Sequence, residues 1–185
     1  MPESHKPWRV LESVVLIDTP HLRLRRDRVE TPRGELVEDY HVRETRGFVV
    51  IFAVTPAGEV VLVRQYKHGI GAVVLELPAG AIDAGETALG AAVRELEEET
   101  GYTAAQGLTE VRSFVIDPTN SNGRFTLFYG TGAVATAAPR FDSTEDIAVE
   151  LIPLDRLLDT VRDGAIDVGS HVASIYTVLD WLGRV

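Results

Sequence analysis

The stretch GAIDAGETALGAAVRELEEETGY, residues 80–102, decides how the rest of the chain is read. It opens as a glycine-rich loop and closes as a helix crowded with carboxylates: Glu95, Glu97, Glu98 and Glu99 stand almost side by side. Like charges at that density destabilise a helix unless something positive neutralises them. The simplest neutraliser is a divalent cation, and carboxylate oxygens suit Mg²⁺ or Mn²⁺. Gly85, Glu86 and Thr87 read as a helix entry, with Thr87 or a neighbour as N-cap. The body runs over about 88–100, and Gly101 suits the position after it, where a positive φ is needed. Leu89, Ala92, Val93 and Leu96 recur at helical spacing and predict a stripe facing the core. Glu95, Glu98 and Glu99 fall on a second stripe, off the apolar one, and Glu97 falls on the far side, toward solvent. Arg94 precedes Glu98 by one turn, a spacing at which the two pair.

Most acidic helix faces are merely solvated. Here the order of Gly80, Glu86, Arg94, Glu95, Leu96, Glu98, Glu99 and Gly101 resembles the Nudix box, with every polar and glycine position of that family's signature matched. The last position ordinarily carries an aliphatic residue, and this chain has Tyr102. The resemblance implies an α/β fold of Nudix type, an α/β/α sandwich with a mixed sheet, over roughly residues 45–183. It implies that Glu95, Glu98 and Glu99 are metal ligands, that the main-chain carbonyl of Ala79 adds another, and that Glu86 supports them. Glu98 is expected to bridge or orient, with Arg94 holding it in place. The reaction implied is Mg²⁺-dependent hydrolysis of a nucleoside diphosphate linked to a second moiety, with Mn²⁺ a possible substitute. Bound metal neutralises phosphate oxygens and acidifies an attacking water.

The outline of the chain agrees with a soluble enzyme. Its 185 residues suggest one domain with a small N-terminal addition. Hydrophobic residues make up 45% and charged residues 25%, as in ordinary globular proteins. With no cysteine, disulfides, thiolate metal sites and cysteine nucleophiles are excluded, and a reducing cytoplasm is permitted. No signal peptide follows Met1, and no apolar run approaches the ~18 residues that would suggest a membrane span. A formal net charge of −10 disfavours nucleic acid as a partner.

Taken in order, segments 8–17, 21–29 and 35–43 predict antiparallel strands, the second with a basic outer face of Arg23, Arg25, Arg26 and Arg28. They form an N-terminal unit, 1–44, ahead of the main domain, 45–185. Segment 47–54 is almost wholly apolar, as for a strand buried on both faces. Strands are expected at 59–65, 72–77, 108–116, 124–134 and 146–152. A short helix is expected at 155–162, and a last one to about 182 with Ser170 as N-cap.

Features outside the box point to the substrate. Glu76-Leu77-Pro78-Ala79-Gly80 and Arg64-Gln65-Tyr66-Lys67 resemble segments of ADP-ribose and nucleotide-sugar pyrophosphatases, and Pro118 stands at a spacing from the box that accompanies them. The resemblance implies that Arg64 reaches substrate phosphate and that the N-terminal strands form a homodimer whose chains share the site. Arg43 is a second candidate for phosphate and Tyr40 for stacking on a base. His41, His68 and His171 have no motif around them and read as structural or exposed. The general base is open between Glu145, Asp142 and Glu98, since Ser143 stands where the subfamily's pattern has its first acid. ADP-ribose is the expected substrate. The alternatives are GDP-mannose, a dinucleoside polyphosphate, a capped RNA end or an oxidised nucleoside triphosphate, and, outside catalysis, a nucleotide-sugar sensor.

Overall fold

The computed structural model describes residues 6–141 and 146–185. The chain divides into two compact units, one of Met1–Arg46 with Val115–Arg124, the other of Gly47–Phe114 with Phe125–Val185.

The first unit is an antiparallel sheet in the order β1 (Arg9–Asp18), β2 (Arg23–Glu30), β3 (Leu36–Glu44). Of the four arginines expected to give β2 a basic outer face, three are paired with acids. Arg23 pairs with Glu44 at 2.6 Å and also with Asp18, and Arg25 meets both Asp27 and Glu44. Arg28 pairs with Glu38 at 2.8 Å. Cross-strand partners of opposite sign cancel the charge that a single strand seems to carry. The loop 117–123 runs back along β3. The Arg43 amide donates to the Asn120 carbonyl at 2.8 Å, and the Asn120 side-chain amide donates to the His41 carbonyl at 3.1 Å. The Tyr40 hydroxyl donates to the Thr119 carbonyl. Main-chain and side-chain groups of Asn120 thus satisfy part of the free edge of β3.

The second unit is built on a mixed sheet in the order β12 (Ile147–Pro153), β5 (Glu59–Lys67), β4 (Phe48–Val54), β10 (Arg124–Thr131), β9 (Leu108–Val115). β6 (Ala72–Glu76) pairs with β5, and β7 (Ala79–Ala81) with β4. β4 runs parallel to β10 and antiparallel to β5. Its alternate residues feed two cores. Val49, Ile51 and Ala53 pack with Ala91, Ala92 and Leu96 of helix α1 (Ala88–Thr100). Val50, Phe52 and Val54 pack with Leu157 of α2 (Leu157–Arg162) and with Ile175, Val178 and Leu179 of α3 (Gly169–Trp181). Helices on both faces of a mixed sheet give the expected α/β/α sandwich.

Three local expectations are corrected. Segment 124–134 is two strands, because Gly132 adopts φ 67° and turns the chain after β10. The following β11 (Ala133–Ala135) pairs instead with β8 (Tyr102–Ala104). Ser170 lies inside α3; the cap is Val168, which offers no side-chain acceptor. The buried stripe of α1 is Ala91, Ala92, Leu96, Glu99 and Thr100, while Leu89 and Val93 are about half exposed. Small residues let the helix lie close on the sheet, so the bulkier Leu89 and Val93 are turned outward. Thr87 caps α1 as expected, its side chain accepting from the Gly90 amide at 3.0 Å, and Gly101 closes it at φ 71°.

Candidate active site

The site residues converge where β7 passes beneath α1. β7 pairs with β4 through Ala79↔Val50 and Gly80↔Val49. A Cβ on Gly80 would lie 1.9 Å from the Glu95 carboxyl carbon. Only glycine leaves room there for that carboxylate. One residue earlier, the Ala79 amide donates to the Glu99 carboxylate at 3.0 Å. Two successive backbone positions of one short strand therefore seat two carboxylates of one helix.

Arg94 organises the outer carboxylates. Its Nε and Nη2 bind both oxygens of Glu86 at 3.0 and 2.9 Å. Its Nη1 reaches Glu95 at 2.7 Å and Glu98 at 3.1 Å, and Nη2 also donates to the Ala81 carbonyl at 3.0 Å. The predicted Arg94–Glu98 contact is one spoke of this hub. Hydrogen bonds from Arg94, and then the Asp83 amide, hold Glu86 below the usual carboxylate range. Glu97 is not simply solvated, since Arg140 pairs with it at 3.1 Å.

Glu99 sits in different surroundings from its neighbours. It is 4% exposed, on the buried stripe rather than beside Glu95 and Glu98 on an outer one. Burial pushes its carboxyl up to about 8; the Ala79 amide opposes this shift and the nearby charge of Glu95 adds to it. A buried carboxylate with one amide for a partner calls for a cation. The donor set, carboxylates with a main-chain carbonyl nearby, is chemically suited to Mg²⁺ or Mn²⁺. Among the described residues no group of three or more acidic or histidine side chains is arranged, as it stands, to hold a metal ion: Glu95 and Glu98 face Arg94, and Glu99 faces the Ala79 amide.

Arg64, on β5, is engaged by both oxygens of Glu150 on β12 and holds that carboxyl below its ordinary range. Arg43, exposed, and Tyr40, edge-on to Trp8 at 5.7 Å, belong to the N-terminal unit. Glu145 and Asp142, two of the three base candidates, lie outside the described residues. Sequence reasoning missed Glu76, which is 3% exposed with Lys67 at 3.0 Å and His171 at 3.1 Å. Burial alone would raise its carboxyl, yet the hydrogen bond from His171 and the charge of Lys67 keep it below the ordinary value. An isolated glutamate at the end of an apolar strand was the available signal.

Comparison with known proteins bears on the family and the fold. Residues 43–170 match the model of the NUDIX domain, and residues 8–42 that of the nucleoside diphosphate sugar hydrolase N-terminal domain. The chain is 39% identical over 90 residues to the ADP-ribose pyrophosphatase of Bacillus subtilis (strain 168), covering 49% of this chain and 48% of that protein. So the match spans about half the length of that relative. With the ADP-ribose pyrophosphatase of Mycobacterium tuberculosis (strain ATCC 25618 / H37Rv) it shares 33% identity over 159 residues, 84% of this chain and 75% of the other. A crystal structure of an ADP compounds hydrolase superposes with a TM-score of 0.87 at 23% identity, covering 99% of this chain and 100% of that one, a likeness of fold. The box on α1, the sandwich that carries it and the match across residues 43–170 place this chain in the NUDIX family.

Proposed function

We propose that this protein hydrolyses the diphosphate bond of a nucleoside diphosphate linked to a sugar, with ADP-ribose the leading substrate and AMP and ribose 5-phosphate the products. The observation that carries this reading is the pairing of a NUDIX domain that keeps Glu95, Glu98 and Glu99 with an N-terminal segment matching that of nucleoside diphosphate sugar hydrolases. Names of the Bacillus and Mycobacterium relatives support ADP-ribose over the alternatives.

In this reading Glu95, Glu98, Glu99 and the Ala79 carbonyl hold Mg²⁺, with Mn²⁺ as substitute. When bound, the metal neutralises the diphosphate and acidifies the water that attacks it. The protein's own part is placement. Gly80 admits the Glu95 carboxylate, the Ala79 amide orients Glu99, and Arg94 restrains Glu98. Arg64, Arg43 and Tyr40 bind substrate; for Arg64 this means exchanging Glu150 for a phosphate, a trade between two oxyanions that a planar guanidinium makes readily. The base that takes the water's proton is Glu145, Asp142 or Glu98.

The protein works as a homodimer in the cytoplasm. Val10, Val15, Leu16 and Ile17 of β1, each at least 39% exposed, support a second chain against the N-terminal sheet. An absence of cysteine and of any described helix long and apolar enough to cross a membrane is compatible with that compartment.

A panel of ADP-ribose, GDP-mannose, a dinucleoside polyphosphate and capped RNA, each with Mg²⁺ and with Mn²⁺, tests the substrate. Preferential release of AMP from ADP-ribose is expected. Faster turnover of another member replaces ADP-ribose, and no turnover of any member by intact protein overturns the enzymatic reading in favour of a nucleotide-sugar sensor.

A further inference from the structure

A second polar network lies behind the cradle, and the function just proposed does not use it. Glu76 ends β6 with both carboxylate oxygens occupied. Oε1 accepts from the Gln65 side-chain amide at 2.9 Å and from Lys67 Nζ at 3.0 Å, and Oε2 faces His171 Nε2 at 3.1 Å. His171 is on α3, 4% exposed, and its Nδ1 accepts the Leu77 amide hydrogen at 3.2 Å. Its two contacts demand different things of the ring. Nδ1 must be bare to accept from Leu77, and Nε2 must carry hydrogen to donate to Glu76. The neutral Nε2–H tautomer satisfies both, whereas an imidazolium would set two N–H groups against each other at Leu77.

Leu77 is two residues from Ala79, whose amide orients Glu99. Pro78 between them has no N–H and a fixed φ, and its carbonyl accepts from the Ile51 amide at 2.9 Å. The segment is thus tied at three consecutive residues: to α3 at Leu77, to β4 at Pro78 and to α1 at Ala79. The first and third of these ties come from side chains, and of the two only that of His171 can be removed by substitution without altering the segment or a proposed ligand.

We propose that His171 is a positioning residue of the metal cradle: by accepting the Leu77 amide hydrogen it fixes the 77–79 segment so that the Ala79 amide holds Glu99 in ligating orientation. This rests on the reading of Glu99 as a metal ligand. Partners one step removed from a ligand are typically worth 10–100-fold in metal affinity. Helix α3 then contributes to the site through one buried ring, with no residue of its own in contact with metal or substrate.

The test is Mn²⁺ binding measured by calorimetry on substrate-free protein, with kcat and KM measured alongside. His171→Asn keeps an acceptor near the position of Nδ1 and gives up the bond to Glu76. His171→Gln reaches toward Glu76 and gives up the bond to Leu77. Expected are an Asn variant within about threefold of the parent and a Gln variant about 10–100-fold weaker, with kcat reduced and the substrate KM unchanged. Equal affinities for the two variants overturn the proposal. Should the Gln variant not fold, the parent decides: its ¹⁵N imidazole resonances must report the Nε2–H tautomer at neutral pH, and an Nδ1–H ring or an imidazolium overturns the proposal. Glu99→Gln in the same assay separates the two readings. If it binds Mn²⁺ as tightly as the parent, the ligand assignment fails; if it binds weakly while both His171 variants match the parent, the positioning role alone fails.

Discussion

Glu98 and Glu99 are neighbours on one helix and live in opposite surroundings. Glu98 is partly exposed and faces a guanidinium; Glu99 is buried and faces one backbone amide. The outer carboxylates of α1 pair with Arg94, in contact with water. Glu99 has no such cation in contact, and burial favours its neutral form. A single acidic run thus contains two kinds of group, one paired with a cation of the protein itself and one buried against a backbone amide.

The largest expected effect comes from removing the second kind. Glu99→Gln retains an oxygen for the Ala79 amide but cannot supply a carboxylate. Activity is expected to fall at least about 100-fold, the upper end of what loss of even a supporting partner costs. Metal-free stability, read from thermal unfolding, should be unchanged or higher at pH 8, since a buried charge has been removed. Activity near that of the parent would erase the contrast between the two glutamates.

Arg94→Ala attacks the first kind. Glu86, Glu95 and Glu98 lose their shared partner and its charge-assisted hydrogen bonds. A clear drop in metal-free thermal midpoint is expected, with Mg²⁺ recovering part of it by replacing the missing positive charge. Activity should fall about 10–100-fold, through the misplaced Glu95 and Glu98. A variant as stable as the parent without metal would show that water alone compensates the outer carboxylates.

Gly80→Ala is a smaller disturbance with a narrow target. The new methyl would stand where the Glu95 carboxylate lies, and that flexible side chain can swing away without moving backbone. The fold should survive with a midpoint close to the parent's, and Mn²⁺ affinity should weaken about tenfold, measured by calorimetry. Equal loss of affinity and stability would mean that Gly80 serves packing rather than Glu95.

Much of the frame is legible in the residues. The unbroken apolar run of β4 announces a strand buried on both faces, and Thr87 and Gly101 bracket α1 at the bounds that the structure has. What was misread shares one cause, which is that a partner distant in sequence decides the outcome. Leu89 and Val93 look like anchors by size, but the sheet beneath α1 leaves room for Ala91 and Ala92. Two placements were not legible at all: β12 brings Glu150 beside Arg64, and α3 seats His171 on Glu76 and Leu77. Arg23, Arg25 and Arg28 of β2 find acids for the same reason. Within the site, the order of the box residues is local and readable. The burial of Glu99 depends on β7, a strand of three residues that no periodicity can reveal.

The smallest effect gives the most direct measure of the contrast. Glu99 is raised in the folded protein to about 8, against about 4.3 for an unperturbed glutamate in the unfolded chain. Between those values the metal-free folded state binds a proton that the unfolded state has released. Stability therefore falls as pH rises through this window, because its slope with pH follows the protons bound unfolded minus those bound folded, here a negative number. The contribution is fully present below the unfolded value and gone above the folded one. Glu86 slopes the other way. Its lowered value adds stability above the unfolded value that is lost as pH falls through the folded one, so its window lies on the acid side and leaves the range from 5 to 8 to Glu99. Thermal midpoints of the metal-free protein from pH 5 to 8 should decline, the Glu99→Gln variant should lose most of that decline, and saturating Mg²⁺ should stabilise the parent more at pH 8 than at pH 5. A parent and variant with parallel pH profiles would show that burial does not set the Glu99 carboxyl apart, and the contrast along α1 would collapse to one acidic edge.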